Sequence, residues 1–218
     1  MEILLTIGKT LLVLLAVASV ALPLVSERRN YHFVWSVLRR FRIKMFFECL
    51  GIVTLTIAAA IALWQIPGLN YGWIKLFFGG NGNMLIKPIT EGSESTNILI
   101  RLMVPLFFVA LAFVLPFLAR SEERSFRKGH DEWSSITKQS VKFGLVHCLV
   151  GIPLAAGIAL IISGLFYGLK YKRAFDRNVE SLGHWRAEDE AVMVSTTYHT
   201  MYNMIVVGLL LFIAIAAV

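Results

Sequence analysis

The sequence predicts an all-α membrane protein, a bundle of about six transmembrane helices. Three observations lead to this fold class: hydrophobic residues make up 57% of the 218 residues, only 16% are charged, and the mean hydropathy is +0.69. Soluble domains carry about 25% charged residues, and a helix needs roughly 20 mostly apolar residues to span a bilayer. A soluble globular enzyme is therefore excluded, and we expect function within the bilayer or at its surface.

Long apolar runs give the individual spans. The first three are expected at residues 3–25, 45–64 and 98–119, and the last at 191–218. The first run is too long for a signal peptide and continues directly into a basic stretch, so it is interpreted as a retained span.

The long run 141–169 is expected to form two helices. Gly151-Ile152-Pro153 interrupts it, and proline lacks a backbone donor and disfavours helix in the residue before it. Extending the first half backwards gives helices at about 134–150 and 153–171. The alternative is a single kinked span.

The distribution of basic residues favours the two-helix interpretation. Lysine and arginine are concentrated in segments 26–44, 120–142 and 170–186, whereas 65–97 contains few. Because cytoplasmic loops are enriched in these residues, the chain should cross the membrane twice between the second and third basic segments. Both termini and a loop at 67–97 are then non-cytoplasmic. Proximity to lipid headgroups explains the charge, so membrane lipids are expected partners and nucleic acid is not.

Several polar residues lie where the bilayer should not tolerate them. Such groups usually face a protein interior or a water-filled cavity. One of them is Arg101, which lies in the third span together with Pro105. Three further pairs are four residues apart and share a helical face: Glu123 with Arg127, Phe143 with His147, and His199 with Asn203. Each pair alone has a structural interpretation, as an ion pair or a link between helices. Together with Glu122 they supply carboxylates, imidazoles and a carboxamide able to activate water and stabilise an oxyanion.

The order of these motifs resembles one known family. Along the chain they read Glu122-Glu123-x-x-Phe126-Arg127, Phe143-x-x-x-His147, Ser163-Gly164-Leu165-Phe166-Tyr167-Gly168-Leu169-Lys170-Tyr171 and His199-x-x-x-Asn203. This series is similar to the CPBP family, which groups CAAX prenyl proteases of the Ras-converting type with bacteriocin-processing and immunity proteins. The chain would then comprise an N-terminal three-span region, 1–119, and a CPBP-like catalytic core, 120–218, within a single membrane domain.

The resemblance implies a glutamate-dependent intramembrane endopeptidase, a hydrolase that cleaves a membrane-associated peptide or protein without a cofactor or metal. It implies that Glu122 is the base that activates water, assisted by His147, and that His199 and Asn203 bind the oxyanion. The supporting residues would be Glu123, Arg127 and Phe143. We expect a multi-pass protein of the cell membrane.

Three other interpretations stay open. A non-proteolytic immunity or scaffold protein of the same fold is one, because the sequence after Arg127 is more polar than is usual in the family. A metalloprotease is another, with His147, His199 and a glutamate as zinc ligands, although the chain has no HExxH motif. A transporter is the third, although no inverted repeat with paired broken helices is visible.

The depth of the site in the membrane also leads to a prediction. A fourth helix starting near residue 134 would place His147 roughly 20 Å deeper than Glu122, at 1.5 Å per residue. Two residues so far apart cannot share a water molecule. The fourth span is therefore expected to begin near Gln139, after a separate surface helix.

Overall fold

The computed structural model describes residues 31–72 and 98–216, and the described part of the chain contains helices and no strand. The elements are α1 (Tyr31–Leu38), α2 (Ile43–Trp64), α3 (Ile98–Phe126), α4 (Trp133–Val146), a 3₁₀ helix (His147–Val150), α5 (Leu154–Leu182) and α6 (His184–Ala216). The all-α class is confirmed. The predicted span 3–25 and most of the loop 67–97 lie outside the described residues.

Three helices are long and apolar enough to cross a membrane: α2, α5 and His184–Ile213 within α6. They indicate a membrane protein, while the count of six spans stays a prediction. The basic segment 26–44 contains a short helix, α1, that the apolar pattern did not indicate. The third helix continues beyond the predicted end at residue 119 and includes both candidate glutamates.

The run 141–169 forms two helices, as predicted. The 3₁₀ helix ends at Gly151, whose φ of 95° lies in the left-handed region that glycine adopts readily, and α5 begins directly after Pro153. The N–H groups of Leu154 and Ala155 donate to the carbonyl oxygens of Tyr71 (3.1 Å) and Leu69 (2.8 Å). The segment after α2 therefore satisfies donors that the first turn of α5 leaves free.

Glycines allow α4 and α5 to pack closely as an antiparallel pair. A Cβ on Gly144 would lie 2.5 Å from the carbonyl oxygen of Gly157, and one on Gly168 would lie 2.4 Å from Cγ2 of Ile136. Small residues let helix backbones approach each other inside a membrane, where no hydrophobic force drives association. This close pairing fixes the position of the His147 end of α4.

Only Gly183, with a φ of 74°, separates α5 from α6. The basic segment 170–186 is helical apart from this glycine, because it continues α5 and begins α6. Helix α5 has 29 residues and is therefore about 43 Å long. This length exceeds the thickness of the hydrocarbon core of a bilayer, which is roughly 30 Å. The basic second half of α5 can therefore extend beyond the membrane.

Hydrophobic clusters join helices α2 to α6. The central cluster takes side chains from α2, α4, α5 and α6, namely Cys49, Val53, Phe143, Tyr167, Met201 and Tyr202. Helix α3 packs against the later part of α6 through Phe108, Leu115 and Val207. Helix α2, from the predicted N-terminal region, therefore belongs to the same bundle as the predicted catalytic core.

Candidate active site

The end of α3 meets the second half of α4. Nη1 of Arg127 lies 3.5 Å from Oγ of Ser140, and the rings of Phe126 and Phe143 pack edge to face with centroids 5.5 Å apart. The first two turns of α4 therefore extend past the end of α3. Because α4 is continuous from Trp133, the expectation of a separate surface helix before Gln139 is wrong, while the start of the membrane span near Gln139 stays a prediction. Because α4 extends past the end of α3, His147 at the other end of α4 lies beside Glu122 and Glu123.

The Glu122 carboxylate faces both candidate histidines. Its Oε2 lies 3.9 Å from Nε2 of His147 and 3.7 Å from Nε2 of His199. These distances exceed a direct hydrogen bond. The Glu122 side chain is 35% exposed, but Oε2 itself is buried and has no hydrogen-bond partner among the described residues.

The neighbouring Glu123 makes different contacts, because successive helical residues point in different directions. Its side chain is fully buried, and Nδ1–H of His199 donates to its Oε1 over 2.9 Å. Its other oxygen lies 3.6 Å from Nε of Arg127, whose side chain is also fully buried. Glu123 therefore joins His199 to Arg127 in the interior of the bundle.

Arg127 connects three helices. Its Nη2 donates to the carbonyl oxygen of Gly164 on α5 over 2.8 Å, and its Nη1 approaches the carbonyl oxygen of Phe126 at 3.3 Å as well as Ser140 on α4. Arg127 directly follows the last residue of α3. Burial lowers the pKa of its guanidinium, while the charge of Glu123 raises that pKa. An arginine pKa starts so high that the group stays charged. Arg127 is therefore a buried cation held by one carboxylate and by backbone oxygens.

The contacts of the two imidazoles fix which nitrogen carries hydrogen. Nδ1 of His147 lies 2.6 Å from the carbonyl oxygen of Phe143, and a carbonyl can only accept, so Nδ1 is the donor. Nδ1 of His199 is likewise the donor to Glu123. In the neutral form of either ring, Nε2 is then an acceptor. Both Nε2 atoms point toward Glu122.

Aromatic rings hold the imidazoles in place. Phe143 packs against His147 with centroids 4.7 Å apart and against His199 at 5.6 Å. The ring of Tyr167 stacks on His199 at 4.4 Å with an interplanar angle of 17°. Tyr167 was not among the predicted site residues, although it lies within the motif Ser163 to Tyr171. The cluster thus has apolar walls that restrict how its histidines move.

The structure brings together six of the seven residues of the predicted site: Glu122, Glu123, Arg127, Phe143, His147 and His199. Asn203 is half-buried on α6, one turn or about 6 Å further along the helix than His199, and its side chain makes no hydrogen bond within the described residues. The side chains of Arg101 and Pro105 lie outside the described residues.

Within residues 31–72 and 98–216, no group of three or more His, Cys, Asp or Glu side chains is arranged to hold a metal ion. Comparison with known protein families, curated proteins and solved structures finds no match to this chain. The resemblance to the CPBP family therefore depends on the motif residues alone.

Proposed function

We propose that the protein is a glutamate-dependent intramembrane endopeptidase that hydrolyses a peptide bond of a membrane-associated substrate. The observation that carries this proposal is the position of Glu122 Oε2, within 4 Å of Nε2 on both His147 (3.9 Å) and His199 (3.7 Å). The three residues come from three separate elements of the chain. The same residues belong to the motif series that resembles the CPBP family.

In this proposal, Glu122 and His147 hold the attacking water. Both Oε2 and the unprotonated Nε2 are acceptors, so a single water can donate one hydrogen to each. Its oxygen lone pairs then face outward and attack the carbonyl carbon of the scissile bond. One proton passes to Glu122 or His147 and is later delivered to the leaving amine as the C–N bond breaks. The products are a new carboxyl terminus and a new amino terminus.

The second half of the mechanism is stabilisation of the oxyanion by His199 and Asn203. Because Nδ1–H of His199 donates to Glu123, Nε2 can donate to an oxyanion only in the imidazolium form. The carboxylates of Glu122 and Glu123 lie beside this ring, 3.7 Å from Nε2 and 2.9 Å from Nδ1, and attract positive charge there. Asn203 supplies a second donor from the next helical turn.

A non-proteolytic immunity or scaffold protein is the second candidate. The observation that favours it is the complete burial of Glu123 and Arg127, whose contacts join α3 to α4, α5 and α6. These contacts explain part of the motif without any catalysis. Glu122 and His147 have no comparable structural explanation, and this difference is the reason that we favour the peptidase.

Digestion of a peptide library by the purified protein in detergent tests the proposal, with cleavage sites read by mass spectrometry. We expect the wild type and the control Glu180→Gln, an exposed residue of α5, to give the same products. Glu122→Gln should lower the rate by at least 10²-fold, as is typical for loss of a general base. Cleavage abolished by a chelator and restored by zinc would instead support the metalloprotease. Absence of cleavage by the wild type would favour the immunity or scaffold protein.

A further inference from the structure

A second site lies on the side of α6 away from the glutamate cluster. It is a cavity of about 640 Å³ at the end of the bundle where the start of α2 meets the second half of α5 and the first half of α6. Its charged lining consists of Arg39, Arg40, Arg42, Lys44, Lys170, Arg173 and Arg177, with Glu48 and Glu190. Seven cations face two carboxylates, so the cavity holds much of the excess positive charge of the chain, which is +7 overall.

Ion pairs account for only part of this charge. Arg40 pairs with Glu190 through both guanidinium nitrogens, and Nζ of Lys170 lies 2.6 Å from Glu48. The other arginines of the lining form no ion pair with any carboxylate of the described residues; these are Arg39, Arg42, Arg173 and Arg177. Like charges gathered in one concave site repel each other and attract an anion.

Two features of the lining indicate the kind of anion. Arginine presents a planar fork of donors that matches the oxygens of a phosphate group, and five of the seven cations that line the cavity are arginines. A volume of about 640 Å³ is larger than one phosphate needs and lies in the range of ordinary ligand sites. The cavity can therefore hold a phosphate together with the organic group that carries it.

The surroundings connect the cavity with the bilayer. Exposed apolar side chains lie on the first two turns of α2, beside the basic lining, and Ile43 and Phe47 are 73% and 63% exposed. Basic pockets between transmembrane helices on the cytoplasmic side bind the headgroups of anionic lipids, and the distribution of basic residues predicts that this end of the bundle is cytoplasmic.

We propose that this cavity binds a phosphate-bearing anion, either the headgroup of an anionic phospholipid or a soluble phosphate compound. The shared chemistry is a phosphate held by the arginines that lack a carboxylate partner. This proposal does not depend on peptidase activity, because neither Glu122 nor His147 lines the cavity.

The test is a binding measurement on the full chain in detergent, by native mass spectrometry and by thermal stabilisation. The probes are a short-chain phosphatidic acid, the matching phosphatidylcholine, inorganic phosphate and a hexaglutamate peptide. The variant Arg173→Gln/Arg177→Gln removes two cations of the lining. The control Lys138→Gln/Arg186→Gln removes two exposed cations that do not line it.

We expect phosphatidic acid to bind to the wild type and to the control, and about tenfold or more weakly to the lining variant, because the variant loses charge-assisted hydrogen bonds to the phosphate. If inorganic phosphate competes with the lipid, the phosphate group itself is recognised and a soluble compound can be the ligand. If it does not compete, the ligand is the lipid. Equal binding of phosphatidylcholine, equal binding to both double variants, tighter binding of hexaglutamate, or no binding of phosphatidic acid would each overturn the proposal.

Discussion

Replacing Glu123 by glutamine should destabilise the protein far more than the same change at Glu122. The Glu123 side chain is fully buried and faces the fully buried Arg127, whereas that of Glu122 is 35% exposed. Glutamine keeps the shape of Glu123 but leaves the guanidinium without its counter-ion. Breaking a buried ion pair from one side costs about 3 to 5 kcal/mol. We expect the lower end of this range, because the 3.6 Å separation is long and backbone oxygens still bind Arg127.

The assay is unfolding of each variant in one mixed micelle, followed by tryptophan fluorescence. Glu122→Gln should change the free energy of unfolding by about 1 kcal/mol or less, because its side chain is partly exposed and its Oε2 makes no direct hydrogen bond that the change would break. Adding Arg127→Met to Glu123→Gln removes the unpaired charge, so the double variant should be more stable than the sum of the single effects predicts. Equal stability of Glu122→Gln and Glu123→Gln would refute the ion-pair argument.

The other predictions concern packing, catalysis and topology. Gly144→Ala should lower the free energy of unfolding by about 1 to 3 kcal/mol through overpacking, because the new Cβ would lie 2.5 Å from a carbonyl oxygen. The control Gly208→Ala should not destabilise the protein, because nothing lies within 4 Å of its Cβ. Similar unfolding curves for the two variants would contradict this prediction. Asn203→Ala should lower the rate of peptide cleavage roughly 10² to 10³-fold through loss of one oxyanion donor, and wild-type rates would remove it from the mechanism. Single cysteines replacing Arg39 and Arg177 in a cysteine-free background should be labelled from the same side of the membrane by an impermeant thiol reagent, and labelling from opposite sides would reject the proposed topology.

The sequence was sufficient to predict the break between α4 and α5, because Gly151 and Pro153 act locally on the backbone. It was not sufficient to predict where the polar ends of helices stop. Hydropathy falls after residue 169, yet α5 continues to Leu182, since a helix needs no apolar residues once it leaves the bilayer. For the same reason, hydropathy did not predict that α3 continues through Glu122 and Glu123.

The identity of the site residues could be predicted better than their geometry. Spacing alone indicated that Glu123 can pair with Arg127 and that Phe143 lies beside His147. The position of His147 relative to Glu122 could not be derived, because it depends on how far α4 extends past the end of α3. Tertiary contacts such as that of Arg127 with Ser140 set this extension. The basic cavity likewise combines residues from distant segments, and no single segment indicated it.

The most direct test of the central claim is a double-mutant cycle in kcat/KM for peptide cleavage, using Glu122→Gln, His147→Gln and the double variant. If both residues hold the same water, they act as a unit, and their effects are strongly non-additive. The account predicts that the double variant cleaves no more slowly than the slower single variant, with unfolding curves that match. Losses that multiply in the double variant, or wild-type cleavage by Glu122→Gln, would contradict the claim that Glu122 and His147 together activate the water.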